Sequence, residues 1–288
     1  MRLRITHETA YRYASPVSSV IQVLRVTPRG HSGQFVVDWR IELDRDVRLQ
    51  PAMDAFGNVV HSFALTGPLD ALKVTATGEV ETEDSHGVVR GQIEKFPATM
   101  FLRDTRLTEA DAAIRSFADE AVADAGGDRL SMLHALNHAL HGRMTFDTAP
   151  TDATTTATEA FADSVGVCQD YAHIFIAAAR HLQIPARYVG GYLFQPGHEV
   201  QEAGHGWVEA MVDDLGWVAF DPANGVSPTD AYVRVAVGLD YLGAAPVRGT
   251  RYGGTDEALK VTVRVEDSGA AISQRQTPSQ SQSQSGGW

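Results

Sequence analysis

Cysteine is almost missing: Cys168 is the only one in 288 residues. That excludes an internal disulfide, a cysteine-based zinc knuckle and an iron–sulfur cluster. A free thiol suits a reducing compartment, so the expected location is the cytoplasm. Positive charge is scarce as well. Lys+Arg 24 face Asp+Glu 36, a formal net charge of -12, which argues against nucleic acid as a partner. No apolar run approaches the ~20 residues of a membrane span, so no membrane partner is expected. Residues 1–7 enter a strand-like alternation instead of an apolar signal region. The glycine patterns of a phosphate loop or a dinucleotide fold are absent, and so is a calcium loop. What remains is an acidic globular chain, long enough to hold a core without staples.

The first 83 residues read as strands. Leu3 and Ile5, then Val20, Gln22, Leu24 and Val26, then residues 36–43 all alternate at period two. Asp54, Ala55, Phe56, Gly57 and Asn58 form a turn between extended runs. Many short strands without a helical period predict an antiparallel β-sandwich over 1–83. Residues 84–106, with Gly87, Gly91 and Pro97, show no period and read as a linker. Helical spacing then begins. Thr108 with Asp111 resembles a capping box, Asp128 can cap a second helix through His141, and Thr156 with Glu159 caps a short third one ending near Ser164. A further helix opens at Cys168, with Ala172, Phe175, Ile176, Ala179 and Leu182 as its apolar face, and stops before Ile184 and Pro185. Strands follow at 186–193, 205–212, 217–220 and 259–265. Helices first and strands after, in one unit over 107–268, make the fold class α+β. The Ser/Gln-rich stretch 269–288 is too polar to bury and is expected to be disordered.

Cys168 is the first residue to carry chemistry. A cysteine at a helix start lies beside unsatisfied N–H groups and the positive end of the dipole, both of which favour thiolate. Gly166 is read as the residue that lets the backbone turn and keeps the sulfur accessible. A thiolate nucleophile needs a base, and the base needs an orienting group. His205 starts one strand between Gly204 and Gly206; Asp221 ends the next. If the hairpin loop at 213–215 has an odd number of residues, His205 and Asp221 share a face within diagonal reach; if even, they do not. Gly216 favours the odd case, as the left-handed glycine that ends a three-residue loop. The competing reading is an inert buried cysteine with a strand-face histidine.

These blocks together resemble the core of the bacterial transglutaminase-like superfamily. The resemblance rests on Gly166-Val167-Cys168-Gln169-Asp170-Tyr171-Ala172-His173, Ile184-Pro185-Ala186-Arg187-Tyr188-Val189-Gly190-Gly191-Tyr192, His205-Gly206-Trp207-Val208-Glu209 and Trp217-Val218-Ala219-Phe220-Asp221-Pro222. Residues 1–83, with His7, Tyr11, Tyr13, Pro28, Arg29 and Phe56-Gly57-Asn58, are similar to that subfamily's N-terminal β domain. Leu239 departs from the Arg that relatives often carry, outside the triad. The resemblance implies a papain-like α+β cysteine core over 107–268 with Cys168, His205 and Asp221 as catalytic residues. It implies acyl transfer through a thioester on peptide or isopeptide bonds, of a peptide, a protein or a γ-glutamyl compound, without cofactor. Hydrolysis is the first expectation, protein cross-linking the alternative, and a silent binding module the rival from another class.

Other residues are weighed beside these. Trp207 shares the strand face of His205 and is expected to wall the substrate cleft; Asp170 is a second candidate for substrate contact. Asp170 and His173 point away from Cys168 around the helix, so helix packing is the competing role. Glu209 reads as a structural hydrogen-bond partner and Arg187 as the partner of a nearby acid. His134, His138 and His141 stand at i, i+4 and i+7 but lack the carboxylate of the helical zinc motif, so no metal is expected.

Overall fold

The computed structural model describes residues 1–149 and 151–269. The expectation of disorder for 269–288 thus lies almost wholly outside the described residues. The chain opens with β1 (Arg2–Thr27), β2 (Gln34–Leu43), β3 (Gln50–Met53) and β4 (Val59–Thr82). β5 (Val88–Val89) and a 3-10 turn at Ala98–Leu102 lead to α1 (Ala112–Val122) and α2 (Arg129–Arg143). Then come β6 (Thr145–Phe146), α3 (Ala157–Asp163), β7 (Val165–Gly166) and α4 (Cys168–His181). β8 (Ala186–Leu193), β9 (Val200–Gln201), β10 (His205–Val212), β11 (Gly216–Phe220) and β12 (Tyr232–Gly238) follow. α5 (Tyr241–Ala244), β13 (Val247–Gly253) and β14 (Glu257–Asp267) complete it. No described helix is long and apolar enough to cross a membrane.

The first sheet has seven strands in the order β2-β4-β1-β14-β9, with β13 beside β1 and β3 beside β4. Along β1, Leu3, Ile5, His7 and Thr9 are buried while the intervening side chains are exposed or half-buried, as the two-residue pleat requires. β1 is too long to stay flat. It pairs β14 from Leu3 to Tyr13 and β13 from Val17 to Leu24, with a register shift between. Twist accumulated over such a length bends the sheet onto itself. Val20 and Leu24 from one half thereby meet Leu72 and Val74 from the other in one core. The layered β architecture is present, but it is not closed within 1–83: β13 and β14 belong to it. Periodicity marks strands, and it says nothing about which distant strand is the neighbour.

The second sheet runs β12-β8-β10-β11-β5. α4 lies against it, and every residue from Gln169 to Arg180 is buried. The sequence shows one apolar face; α1, α2 and α3 cover the opposite one, so the helix is central to the fold. Arg180 is accommodated inside by donating to the carbonyls of Phe101, Ala186 and Leu239 and to Thr108 Oγ1. This gives Thr108 its role. The N-cap of α1 is Asp111, whose carboxylate accepts from Ile114 N–H at 2.9 Å. Asp128 and Thr156 cap α2 and α3 as read from the sequence, the latter with Glu159 in a full capping box. The stretch 84–106 is packed rather than a free linker. β5 pairs with β11, Phe101 is buried against Trp217, and Glu94 pairs with Arg187.

Candidate active site

Cys168 is the first residue of α4 and is half-buried. The helix start is held by Asp170, whose Oδ2 accepts from Val167 N–H at 2.8 Å. Burial raises the Asp170 pKa, partly offset by that bond. Gly166 has no positive φ, so the expected sharp turn is not its reason for being there. A Cβ on Gly166 would come within 2.7 Å of the Asp170 carboxylate. Glycine is required so that Asp170 can reach back over the backbone. Asp170 therefore caps the helix through Oδ2. His173, three residues further along α4, is buried and accepts from Tyr241 N–H at 3.0 Å, fastening the α5 turn to α4. Burial holds His173 down at about 4, hence neutral.

The hairpin settles the relation of His205 to Asp221. Val212 pairs with Gly216, and Val208 with Phe220. The loop therefore has three residues, 213–215, and Gly216 has φ +86°. Same-parity positions then share a face, and His205 Nε2–H donates to Asp221 Oδ2 at 2.6 Å. Nδ1 is the nitrogen left free by that bond, and Cys168 acts on the ring in favour of the imidazolium. Asp221 is fully buried. Its Oδ2 also accepts from Asn224 Nδ2 at 2.7 Å and from the Tyr232 hydroxyl at 2.8 Å, and its Oδ1 from the N–H groups of Ala223 and Asn224. Burial alone would raise this carboxyl; the bonds and the His205 charge hold it below the usual carboxylate value. For His205, burial disfavours the cation, but Cys168 and Asp221 outweigh it and raise the ring to about 10.

Sequence reasoning missed Asn224 and Tyr232. Asn224 follows Asp221 by three residues, a spacing at which a side chain can return to the same carboxylate. Tyr232 comes from β12, on the far side of β8, and has no local signal. Trp207 is buried at 2% exposure. It stacks on His205 with ring centroids 6.0 Å apart and meets Tyr232 edge-on at 5.5 Å. It braces the imidazole and does not line the cleft. Glu209, two residues further on the same face, accepts from Arg187 at 2.7 Å and Arg234 at 2.6 Å. Burial opposes its charge, yet the two arginines hold it at about 2. Both structural readings of Glu209 and Arg187 are met here. His134 packs edge-on to Phe220, and His141 Nδ1–H donates to Ala223 O at 3.1 Å.

A cavity of about 210 Å³ opens over Cys168 and His205. One side is core: Gln169, Tyr188, Gly190, Gly206 and Tyr241. The other side is the first sheet: His7, Thr9, Tyr11, Leu259 and Val261. The Tyr188 hydroxyl lies over Gly206, where a Cβ would be 2.1 Å away. Burial, then Cys168, raises the Tyr188 pKa, so the phenol keeps its proton.

Residues 3–81 match the bacterial transglutaminase-like N-terminal region and residues 115–222 the transglutaminase-like superfamily. An uncharacterized protein of Mycobacterium leprae is 30% identical over 279 residues, covering 92% of this chain and 98% of that one. A protein-glutamine gamma-glutamyltransferase of Pseudomonas aeruginosa is 34% identical over 107 residues, 31% of this chain and 15% of its own. A solved structure from Cytophaga hutchinsonii, named as a candidate cysteine protease, has TM-score 0.69 at 20% identity over 91% of this chain and 90% of that one. That likeness shows the shared fold. With its thiol at the start of the central helix and both regions matched, the chain belongs to the transglutaminase-like superfamily.

Proposed function

We propose that this protein is a cysteine amidase that cleaves peptide or isopeptide bonds through a thioester on Cys168. The observation that carries the reading is the 2.6 Å bond from His205 to the buried Asp221, with Cys168 at a helix start lining the same cavity as His205. The thiol proton passes to His205, and sulfur attacks the amide carbonyl. The C–N bond breaks as the imidazolium returns the proton to the leaving amine. Water then attacks the thioester, giving its proton to His205, and the thiolate leaves with a carboxylic acid as product. Asp221 fixes the ring tautomer and stabilises the imidazolium. The Cys168 N–H, without a partner in the preceding turn, and the Tyr188 hydroxyl are the donors for the oxyanion.

Water is the preferred nucleophile because, among the described residues, no carboxylate lines the cavity to gather a lysine ammonium. Cross-linking is the second reading, supported by the 34% identity to a gamma-glutamyltransferase. Intact-mass measurement after iodoacetamide treatment from pH 5 to 9 tests the core of both. Wild type is expected to alkylate readily near pH 6 and His205→Ala only at alkaline pH. Equal labelling of the two proteins overturns the reading in favour of a silent binding module. Incorporation of a dansylated amine into casein, at a rate exceeding hydrolysis, would select cross-linking.

A further inference from the structure

Three residues of the first sheet face the thiol across the cavity, and two of them, His7 and Thr9, are joined by a hydrogen bond. His7, Thr9 and Tyr11 stand at alternate positions of β1 and line the same space as Cys168. His7 Nδ1 lies 3.0 Å from the Tyr192 hydroxyl, and His7 Nε2 lies 3.2 Å from Thr9 Oγ1. Tyr192 is buried and stays a phenol, because burial raises its pKa. His7 is held neutral by burial, at about 4. A neutral imidazole donates from one nitrogen and accepts at the other. We assign the tautomer in which the enclosed Tyr192 hydroxyl gives its hydrogen to Nδ1 and Nε2–H donates to Thr9 Oγ1. The hydroxyl hydrogen of Thr9 is then turned away from His7 and available to an acceptor in the cavity.

The rest of the lining defines what that acceptor belongs to. Apart from the Cys168–His205 pair, the cavity is bounded by tyrosines, small residues, Gln169 and the aliphatic side chains of Val247, Leu259 and Val261. Among the described residues, no Lys, Arg, Asp or Glu lines it. A charged side chain entering this space would be desolvated with no counter-ion besides the Cys168–His205 pair. An uncharged chain would lose nothing, and its carbonyl oxygen could take the Thr9 hydrogen.

We propose that the N-terminal sheet is the specificity wall of this site: Thr9, oriented by His7 and Tyr192, binds a carbonyl oxygen of an uncharged peptide acyl chain lying against Tyr11, Leu259 and Val261. The proposal rests on the amidase reading above. It makes Thr9 a binding residue and His7 and Tyr192 positioning residues, and it gives the first domain a direct part in substrate choice.

The test is the rate at which Cys168 is alkylated by benzyloxycarbonyl-Phe-Gln, Phe-Glu and Phe-Lys chloromethyl ketones, against iodoacetamide as a reagent too small to need the wall. The Gln probe is expected to react at least tenfold faster than the Glu or Lys probe. Thr9→Val is expected to slow the Gln probe about tenfold while iodoacetamide changes less than twofold, and Thr9→Ser to restore the Gln rate. Equal rates for the three probes overturn the proposal. So does a Thr9→Val effect that is absent, or that slows both reagents alike. Failure of the underlying reading shows differently: wild type itself then resists iodoacetamide near pH 6, and the wall proposal falls with it.

Discussion

Asp221 keeps its charge without solvent because hydrogen bonds from His205, Tyr232, Ala223 and Asn224 occupy both its oxygens. Such a carboxylate is rigid, and it transmits that rigidity to the imidazole. Tyr232→Phe removes one donor while leaving the ring that touches Trp207 and His205. It is expected to cost about 1 kcal/mol of stability and to slow Cys168 alkylation at neutral pH, read by urea melts and intact mass. His205, raised to about 10, should remain protonated through neutral pH. Nitrogen chemical shifts are expected to show its titration near that value in wild type and far lower in Cys168→Ala. The sign for stability follows. A folded value above the ordinary histidine value of 6.5 stabilises fully below pH 6.5, and that contribution is lost as pH rises to about 10. Thermal melts over this window should fall more for wild type than for His205→Gln. The pair itself was legible from the parity of one hairpin. Tyr232 was not, because a contact across β8 leaves no trace in local spacing.

Within elements, two close fits decide whether the thiol is presented at all. A methyl on Gly166 meets the Asp170 side chain at 2.7 Å, so Gly166→Ala must push the first turn of α4 off its cap. The expected cost is about 1–3 kcal/mol, with slower alkylation of Cys168 in the same preparation. Deeper along β10, Glu209 holds Arg187 and Arg234 together, and Arg187 also lies over the Trp217 ring at 3.8 Å. Glu209→Gln leaves the buried Arg187 with Glu94 alone and the half-buried Arg234 without its carboxylate, and should cost about 3 kcal/mol at pH 7. Its folded value of about 2 lies below the ordinary glutamate value of 4.5. The stabilisation is therefore present above pH 4.5 and lost as pH falls toward 2, and the gap between the two proteins in urea melts should narrow over that range. Helix caps at Asp128 and Thr156 were readable because capping is local. The cap of α1 was misplaced because Thr108 is recruited by Arg180 from 72 residues away, a claim that outbids local preference.

At the scale of the molecule, the two sheets share one core. Leu3, Ile5, Val80, Val263 and Val265 of the first sheet cluster with Tyr171, Ile174, Phe175 and Tyr188 of the second unit. Urea unfolding followed by tryptophan fluorescence and by far-ultraviolet circular dichroism should give a single coincident transition; two separated transitions would refute a shared core. The sequence suggested a division near residues 84–106, since composition and period change there. It could not reveal that Leu3 pairs with Asp267, because any exposed-edge strand of the right alternation would have matched. That pairing has a consequence for when the site is completed. A ribosome that has made His205 must add about 60 more residues before β14 is finished, which takes roughly 3–12 seconds. During that interval the nascent chain carries its thiol and imidazole but lacks Leu259 and Val261, the wall opposite them. On the proposed reading of that wall, the site is complete only once β14 is made, because the same strand closes the cavity and, through Val263 and Val265, the shared core.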